Sequence, residues 1–186
     1  MHRGTTLWRM VRKGRNPWWF SSDGQGRFDL PFPEGTCYAA LDEIAALLEV
    51  IGPDIEGGAV SENFLSGRGL RRLALPDSRR VADLADRRAR GFGVTAEIHT
   101  VVPYDLPHQW SLALRRAGAA GVRYHVRHDP SFRGSGVGLF GKAGERKSWN
   151  RGREIPIGEE LQAKLARDCQ IRILALPRAA GLRILD

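Results

Sequence analysis

The stretch "GRFDLPFPEGTCYAALDEIAALLEV", Gly26–Val50, decides the fold. It opens in glycine-flanked turn residues. It then passes through a short apolar run, "GTCYAA" (Gly35–Ala40), which reads as a buried strand after a glycine turn. It ends in "LDEIAALLEVIG", the clearest helix of the chain. Asp42 is the expected N-cap, Ile44, Leu47, Leu48 and Ile51 keep the i, i+3, i+4, i+7 spacing, and Gly52-Pro53 closes the helix. Arg27, Tyr38 and Glu49 fall in this segment eleven residues apart.

Outward from this segment the chain offers more strands than helices. "TTLWRMV" (Thr5–Val11) is β-prone with an arginine inside it. "KGRNPWWFSSDGQGRFD" is a long loop broken by Trp18, Trp19 and Phe20, and "RRLALPDSRRVADLAD" gives two β-prone pieces around a Pro-Asp-Ser turn. "PHQWSLALRRAGAAGV" reads as a helix closing at Gly118 or Gly121. "GVRYHVRHDP" alternates, with Val122, Tyr124 and Val126 on one face and Arg123, His125 and Arg127 on the other. "GVGLFG", "CQIRILALP" and "GLRILD" read as further short strands, and "GKAGERKSWNRGREIPIG" as a loop. Strands with a few helices and no βαβα repeat predict an α+β fold rather than a doubly wound sheet. Neither GxGxxG after a strand nor GxxxxGK[ST] occurs, so the usual nucleotide loops are absent.

A length of 186 residues suits one domain, taken as 1–186. Cys37 and Cys169 are far apart and show no CxxC spacing, which argues against a disulfide framework or a cysteine metal site. No apolar run reaches the length of a membrane span, so a soluble, cytoplasmic protein is expected. The net charge of +8 is dominated by arginine. It is compatible with nucleic acid, an acidic protein or a phosphate-bearing ligand.

Single residues point in ordinary directions. Glu49 lies about 140° from Ile44 on the helical wheel, off the core stripe and one turn from Ala45 and Ala46. Alone it reads as a solvated glutamate that a ligand could reach. Tyr38 reads as a core tyrosine with its hydroxyl on a backbone carbonyl. Arg9, between Trp8 and Met10, lies either on an exposed strand face or on a polar pocket wall. Arg27 reads as a solvated turn residue. His125 and His128, beside Arg127 and Asp129, match no zinc signature and read as hydrogen-bonded strand or turn histidines. The Trp18–Phe20 cluster reads as a packed loop, with base stacking as the rival.

Taken together and in order, "LWR", "GRFD", "GTCYAALDEIAALLEV", "DLADRRARGFGVTAEIHT", "QWSLALRRAGAAGVRY" and "RHDP…LF" resemble the RES-domain family over about residues 5–142. The resemblance implies a split α+β sheet similar to that of ADP-ribosyltransferase toxins. It implies cleavage of the nicotinamide–ribose bond of NAD⁺, with NAD⁺ as substrate rather than cofactor, no metal, and water, phosphate or a protein as acceptor. It also implies an Xre-like antitoxin as partner, with nucleic acid reached only through that complex; a homo-oligomer is possible. Carried over by motif, the catalytic pair is Glu49 and Arg9, and Arg27 and Tyr38 belong to the NAD⁺ site, with Tyr124 and Trp110 as further candidates. The chain departs from the family at one point. The serine expected two residues after Tyr124 is Val126, which supplies no hydroxyl. Ser131 or Ser135 compensates, or the serine is dispensable, or activity is altered. Rival functions are transfer of ADP-ribose to a protein, a degenerate RES domain kept for binding, and a basic nucleic-acid-binding protein.

Overall fold

The computed structural model describes residues 1–55 and 57–174. Along the chain run β1 (Thr6–Arg12), β2 (Trp19–Phe20), β3 (Glu34–Ala40), α1 (Glu43–Ile51), β4 (Ala59–Ser61), α2 (Glu62–Ser66), β5 (Arg68–Ala74) and β6 (Ala82–Asp83). After two 3₁₀ turns, Arg87–Phe92 and Ala96–His99, come α3 (Asp105–Arg116), β7 (Gly121–His125), β8 (Ser135–Lys142), β9 (Gly144–Glu145), β10 (Arg153–Ile155), α4 (Glu159–Cys169) and β11 (Arg172–Leu174). The strand expected at "GLRILD" lies outside the described residues.

A seven-stranded mixed sheet, in the order β10-β5-β1-β3-β8-β7-β6, organises the molecule. Its strands are antiparallel except for the β6–β7 pair. The sheet is split. β1 and β5 pair along seven residues, as do β3 and β8, but β1 meets β3 only at Trp8↔Ala40. Two well-laddered halves thus splay apart on either side of one contact.

Helix α1 covers one face of that junction. Asp42 caps it, accepting from the Ala45 N–H at 2.7 Å, which satisfies one of the free donors of the first turn. Its Leu47, Leu48 and Ile51 are buried against Met10, Ala40, Leu70 and Val126, and Leu161 and Leu165 of α4 join the same core. Full burial of each such side chain contributes roughly 1.5–3 kcal/mol. Ala45 and Ala46 are buried too, so α1 is enclosed on more than the expected stripe. On the opposite face Leu7, Cys37, Leu73, Val137 and Leu139 pack with Trp18 and Phe20. Trp18 and Phe20 are core residues of a packed loop, whereas Trp19 is exposed.

The stretch expected to be loop, Gly141–Gly158, contains two short strands. β9 pairs with β2, and β10 extends the sheet beyond β5. A third cluster, Phe28, Leu30, Val122, Tyr124 and Phe140, lies under α3. Among the described residues no helix is long and apolar enough to cross a membrane.

Candidate active site

The site forms where the two half-sheets part beneath α1. A cavity of about 130 Å³ opens there, walled by Trp8, Ala40, Val50, Val126 and Gly136, with Arg9, Tyr38 and Glu49 as its polar lining. Its volume is comparable to the ~150 Å³ cavity that accepts one benzene ring. It therefore has room for one aromatic ring, and a larger ligand must extend beyond it.

Glu49 is half-buried and projects from α1 towards the sheet. Its Oε1 accepts from the Tyr124 hydroxyl at 2.7 Å, and Oε2 makes no hydrogen bond among the described residues. Desolvation raises the Glu49 pKa, while the Tyr124 hydrogen bond and the charges of Arg27 and Arg127 pull it down. The outcome is a carboxyl group with a higher pKa than an ordinary glutamate, held in place on one oxygen and open on the other.

Tyr124 is buried, and its ring packs on Phe28 with centroids 4.9 Å apart. Burial first, and then the Glu49 carboxylate, push its phenol well up, so it remains a donor. A glycine beneath makes this placement possible. A Cβ on Gly136 would fall 2.6 Å from Tyr124 Cε2 and 2.7 Å from its hydroxyl. Gly134, Gly136 and Gly138 alternate along one face of the β8 segment, a pattern that signals close approach by other groups.

Tyr38 contributes its ring to the cavity, but its hydroxyl is not on a backbone carbonyl as expected. It donates to Asp29 Oδ1 at 2.8 Å and accepts from the Phe28 N–H at 2.8 Å. Asp29 Oδ2 in turn accepts from the Gly26 N–H. This closed network fixes the turn that carries Arg27. Gly26 is obligatory within it, since a Cβ there would lie 2.5 Å from both Asp29 Oδ1 and the Tyr38 hydroxyl.

Arg27 is buried rather than solvated. It donates to the Val101 carbonyl at 2.8 Å and lies over the Tyr104 ring, 4.7 Å from its centroid. Desolvation lowers its pKa, but a guanidinium keeps its proton. Arg9 lines the cavity, on the pocket-wall side of the two expectations. One of its terminal nitrogens donates to the carbonyls of Pro17 and Trp19 and to Cys37 Sγ, pinning the Trp18 loop to the sheet. Its other two nitrogens make no hydrogen bond among the described residues.

The structure therefore brings Glu49, Tyr124, Tyr38 and Arg27 together and sets Arg9 on the cavity wall. It does not bring Trp110 there. That ring lines a separate groove with Leu84, Phe92 and Val94, because α3 packs on the far half of the sheet. Val126 does line the cavity, so the departure from the serine falls at the site itself. Neither candidate replacement reaches it. Ser135 is bonded by the Arg123 guanidinium on the opposite sheet face, and Ser131 is exposed and bonds Asp129. Asp29 and Gly136 belong to the site, the charge of the exposed Arg127 acts on Glu49, and none of the three was singled out from the sequence. The quoted "GRFD" and the Gly-x-Gly-x-Gly alternation were the signals available for the first two.

Fold and site define a split mixed-sheet α+β protein with a buffered carboxylate over a one-ring cavity. The model of the RES domain matches residues 6–153, and the chain belongs to the RES-domain family. A chain in the crystal structure of the M. tuberculosis MbcT–MbcA toxin–antitoxin complex shares the fold, with a TM-score of 0.59 at 17% identity over 83% of this chain and 86% of that one. No curated protein sequence matches significantly.

Proposed function

We propose that this RES-domain protein is a toxin that breaks the nicotinamide–ribose bond of NAD⁺. The observation that carries the reading is the placement of Glu49, fixed through Oε1 by Tyr124 and open at Oε2, beside a cavity of one-ring size. Nicotinamide fits that cavity, and its ribose then lies against the open carboxylate oxygen.

The bond between ribose C1′ and the pyridinium nitrogen breaks with its electron pair going to nitrogen. Nicotinamide therefore leaves neutral and needs neither a proton nor a metal to do so. Positive charge develops on C1′ and the ring oxygen. The Glu49 carboxylate stabilises it electrostatically and accepts a hydrogen bond from a ribose hydroxyl. An oxygen of water or phosphate then bonds to C1′, and where water attacks its proton passes to solvent. Tyr124 orients the carboxylate, and the Tyr38 ring packs on the bound nicotinamide. The buried Arg27 and one edge of Arg9 supply charge-assisted donors for phosphate or ribose oxygens. With valine at position 126, polar recognition in the cavity rests on Glu49, Arg9 and backbone groups.

The M. tuberculosis neighbour is crystallised as a toxin–antitoxin complex, which supports an antitoxin, Xre-like by family, as the partner of this chain. The test is product analysis by mass spectrometry after incubation with NAD⁺, with and without phosphate. Free nicotinamide with ADP-ribose names water as acceptor, and ADP-ribose phosphate names phosphate. Intact NAD⁺ under both conditions, with no ADP-ribosylated protein, overturns the reading.

A further inference from the structure

The sheet register carries the site further than the cavity does. Tyr124, Gly136, Ala40, Trp8, Arg72 and Arg153 stand opposite one another on adjacent strands, from β7 to β10. Alternation puts them on one face, the face that α1 covers. Tyr124 holds Glu49 at one end, Trp8 walls the cavity, and the row continues to two arginines.

Arg72 and Arg153 are directly opposite each other, as are Arg9 and Arg71, and Arg12 and Arg68. Like charges directly opposite on neighbouring strands destabilise a sheet. Arg71 and Arg151 each have a carboxylate, on Glu154 and Glu145. Arg72 and Arg153 are exposed, and neither forms an ion pair or a side-chain hydrogen bond among the described residues. Arg72 places its guanidinium over the Trp8 ring, 5.9 Å from the centroid. With strands about 4.8 Å apart, Arg72 is about 10 Å from Ala40 under the cavity. The Arg72 side chain spans part of that separation, since its guanidinium lies over Trp8 of the cavity wall.

We propose that Arg72 and Arg153 form a phosphate subsite of this pocket, with the Trp8 ring as the floor between subsite and cavity. Two planar guanidinium groups side by side match the oxygens of a phosphate bidentately, and the anion relieves their mutual repulsion. The placement rests on the NAD⁺ reading. The chemistry of the subsite does not, because any phosphate that reaches the row meets the same donors. The phosphate comes from the diphosphate of the dinucleotide or from free phosphate acting as acceptor.

The experiment is calorimetric titration of the intact protein with inorganic pyrophosphate and with inorganic phosphate. It compares wild type, Arg72→Gln/Arg153→Gln, and the charge-matched control Arg90→Gln/Arg116→Gln, whose side chains are exposed elsewhere. The subsite predicts affinity at least tenfold weaker in the first double variant and near wild type in the control. Equal weakening in both variants would reduce the effect to net charge and overturn the subsite, as would no binding to wild type. Neither outcome depends on turnover, so failure here is distinct from failure of NAD⁺ cleavage. Where turnover is seen, a raised KM for NAD⁺ in Arg72→Gln/Arg153→Gln assigns the site to the dinucleotide, and a raised KM for phosphate assigns it to the acceptor.

Discussion

At the scale of single residues, the fully buried Tyr124 and the partly buried Tyr38 do different work. Tyr124 donates to the carboxylate proposed to stabilise charge, whereas Tyr38 donates to Asp29 and holds a turn. Their phenylalanine variants should separate activity from stability. Tyr124→Phe removes a hydrogen bond to a charged group, worth roughly 1.5–3 kcal/mol. We expect kcat for nicotinamide release to fall about tenfold or more. The pH profile provides a second check. The active form of Glu49 is the carboxylate, and burial has raised its pKa, so activity should fall on acidification at a higher pH than an ordinary glutamate would give. Tyr124→Phe removes an interaction that lowers that pKa, so the acid limb should move further up. A limb that stays in place would exclude Tyr124 as the support of Glu49. Tyr38→Phe leaves Asp29 Oδ1 and the Phe28 N–H without this partner, so denaturant unfolding should show a loss of roughly 1–3 kcal/mol with a smaller change in kcat.

At the scale of elements, the readings that held were those resting on a strong local period. β1, β3, β7 and α1 lie close to their expected places because alternation, caps and apolar spacing are written in contiguous residues. Helix α4 was missed because its buried face consists of Leu161 and Leu165 in an otherwise polar run. β10 was missed because three residues at a sheet edge owe their conformation to pairing with β5, far away in sequence. The site shows the same division. Arg27, Tyr38 and Glu49 stand in motifs legible in contiguous sequence, whereas the contacts of Asp29 and Gly136 arise between elements. Trp110 lies in a separate groove for a related reason, since nothing in its helix says which end of the sheet α3 covers. The glycine of β8 gives the prediction proper to this scale. Gly136→Ala should fold, because β8 keeps its backbone pairing on both sides, but the new methyl displaces Tyr124 and should lower nicotinamide release at least as far as Tyr124→Phe does. Wild-type activity in Gly136→Ala would show that the floor under Tyr124 has no part in catalysis.

At the scale of the whole molecule, acid stability is tied to a histidine beside the site. His99 is buried against His125, and its Nδ1 accepts from the His125 N–H at 3.4 Å. Desolvation, with the charges of His125 and Arg27, lowers its pKa from 6.5 to about 4. The folded state therefore favours the neutral ring. Its contribution is complete above pH 6.5 and is lost as pH falls to about 4, where the unfolded chain has taken up the proton first. The linkage amounts to at most about 3 kcal/mol. Urea unfolding followed between these pH values should show a smaller loss of stability in His99→Gln than in wild type, and parallel curves would remove His99 from the account. The split of the sheet acts at this scale too. One ladder contact between β1 and β3 leaves the opening that α1 roofs, and that opening holds the carboxylate on which the functional reading depends. The most direct measurement is the initial rate of nicotinamide release from NAD⁺ by wild type and Glu49→Gln, side by side with phosphate present. The account predicts measurable release by wild type and a fall of roughly a hundredfold or more in the variant. Equal rates in the two proteins would contradict it.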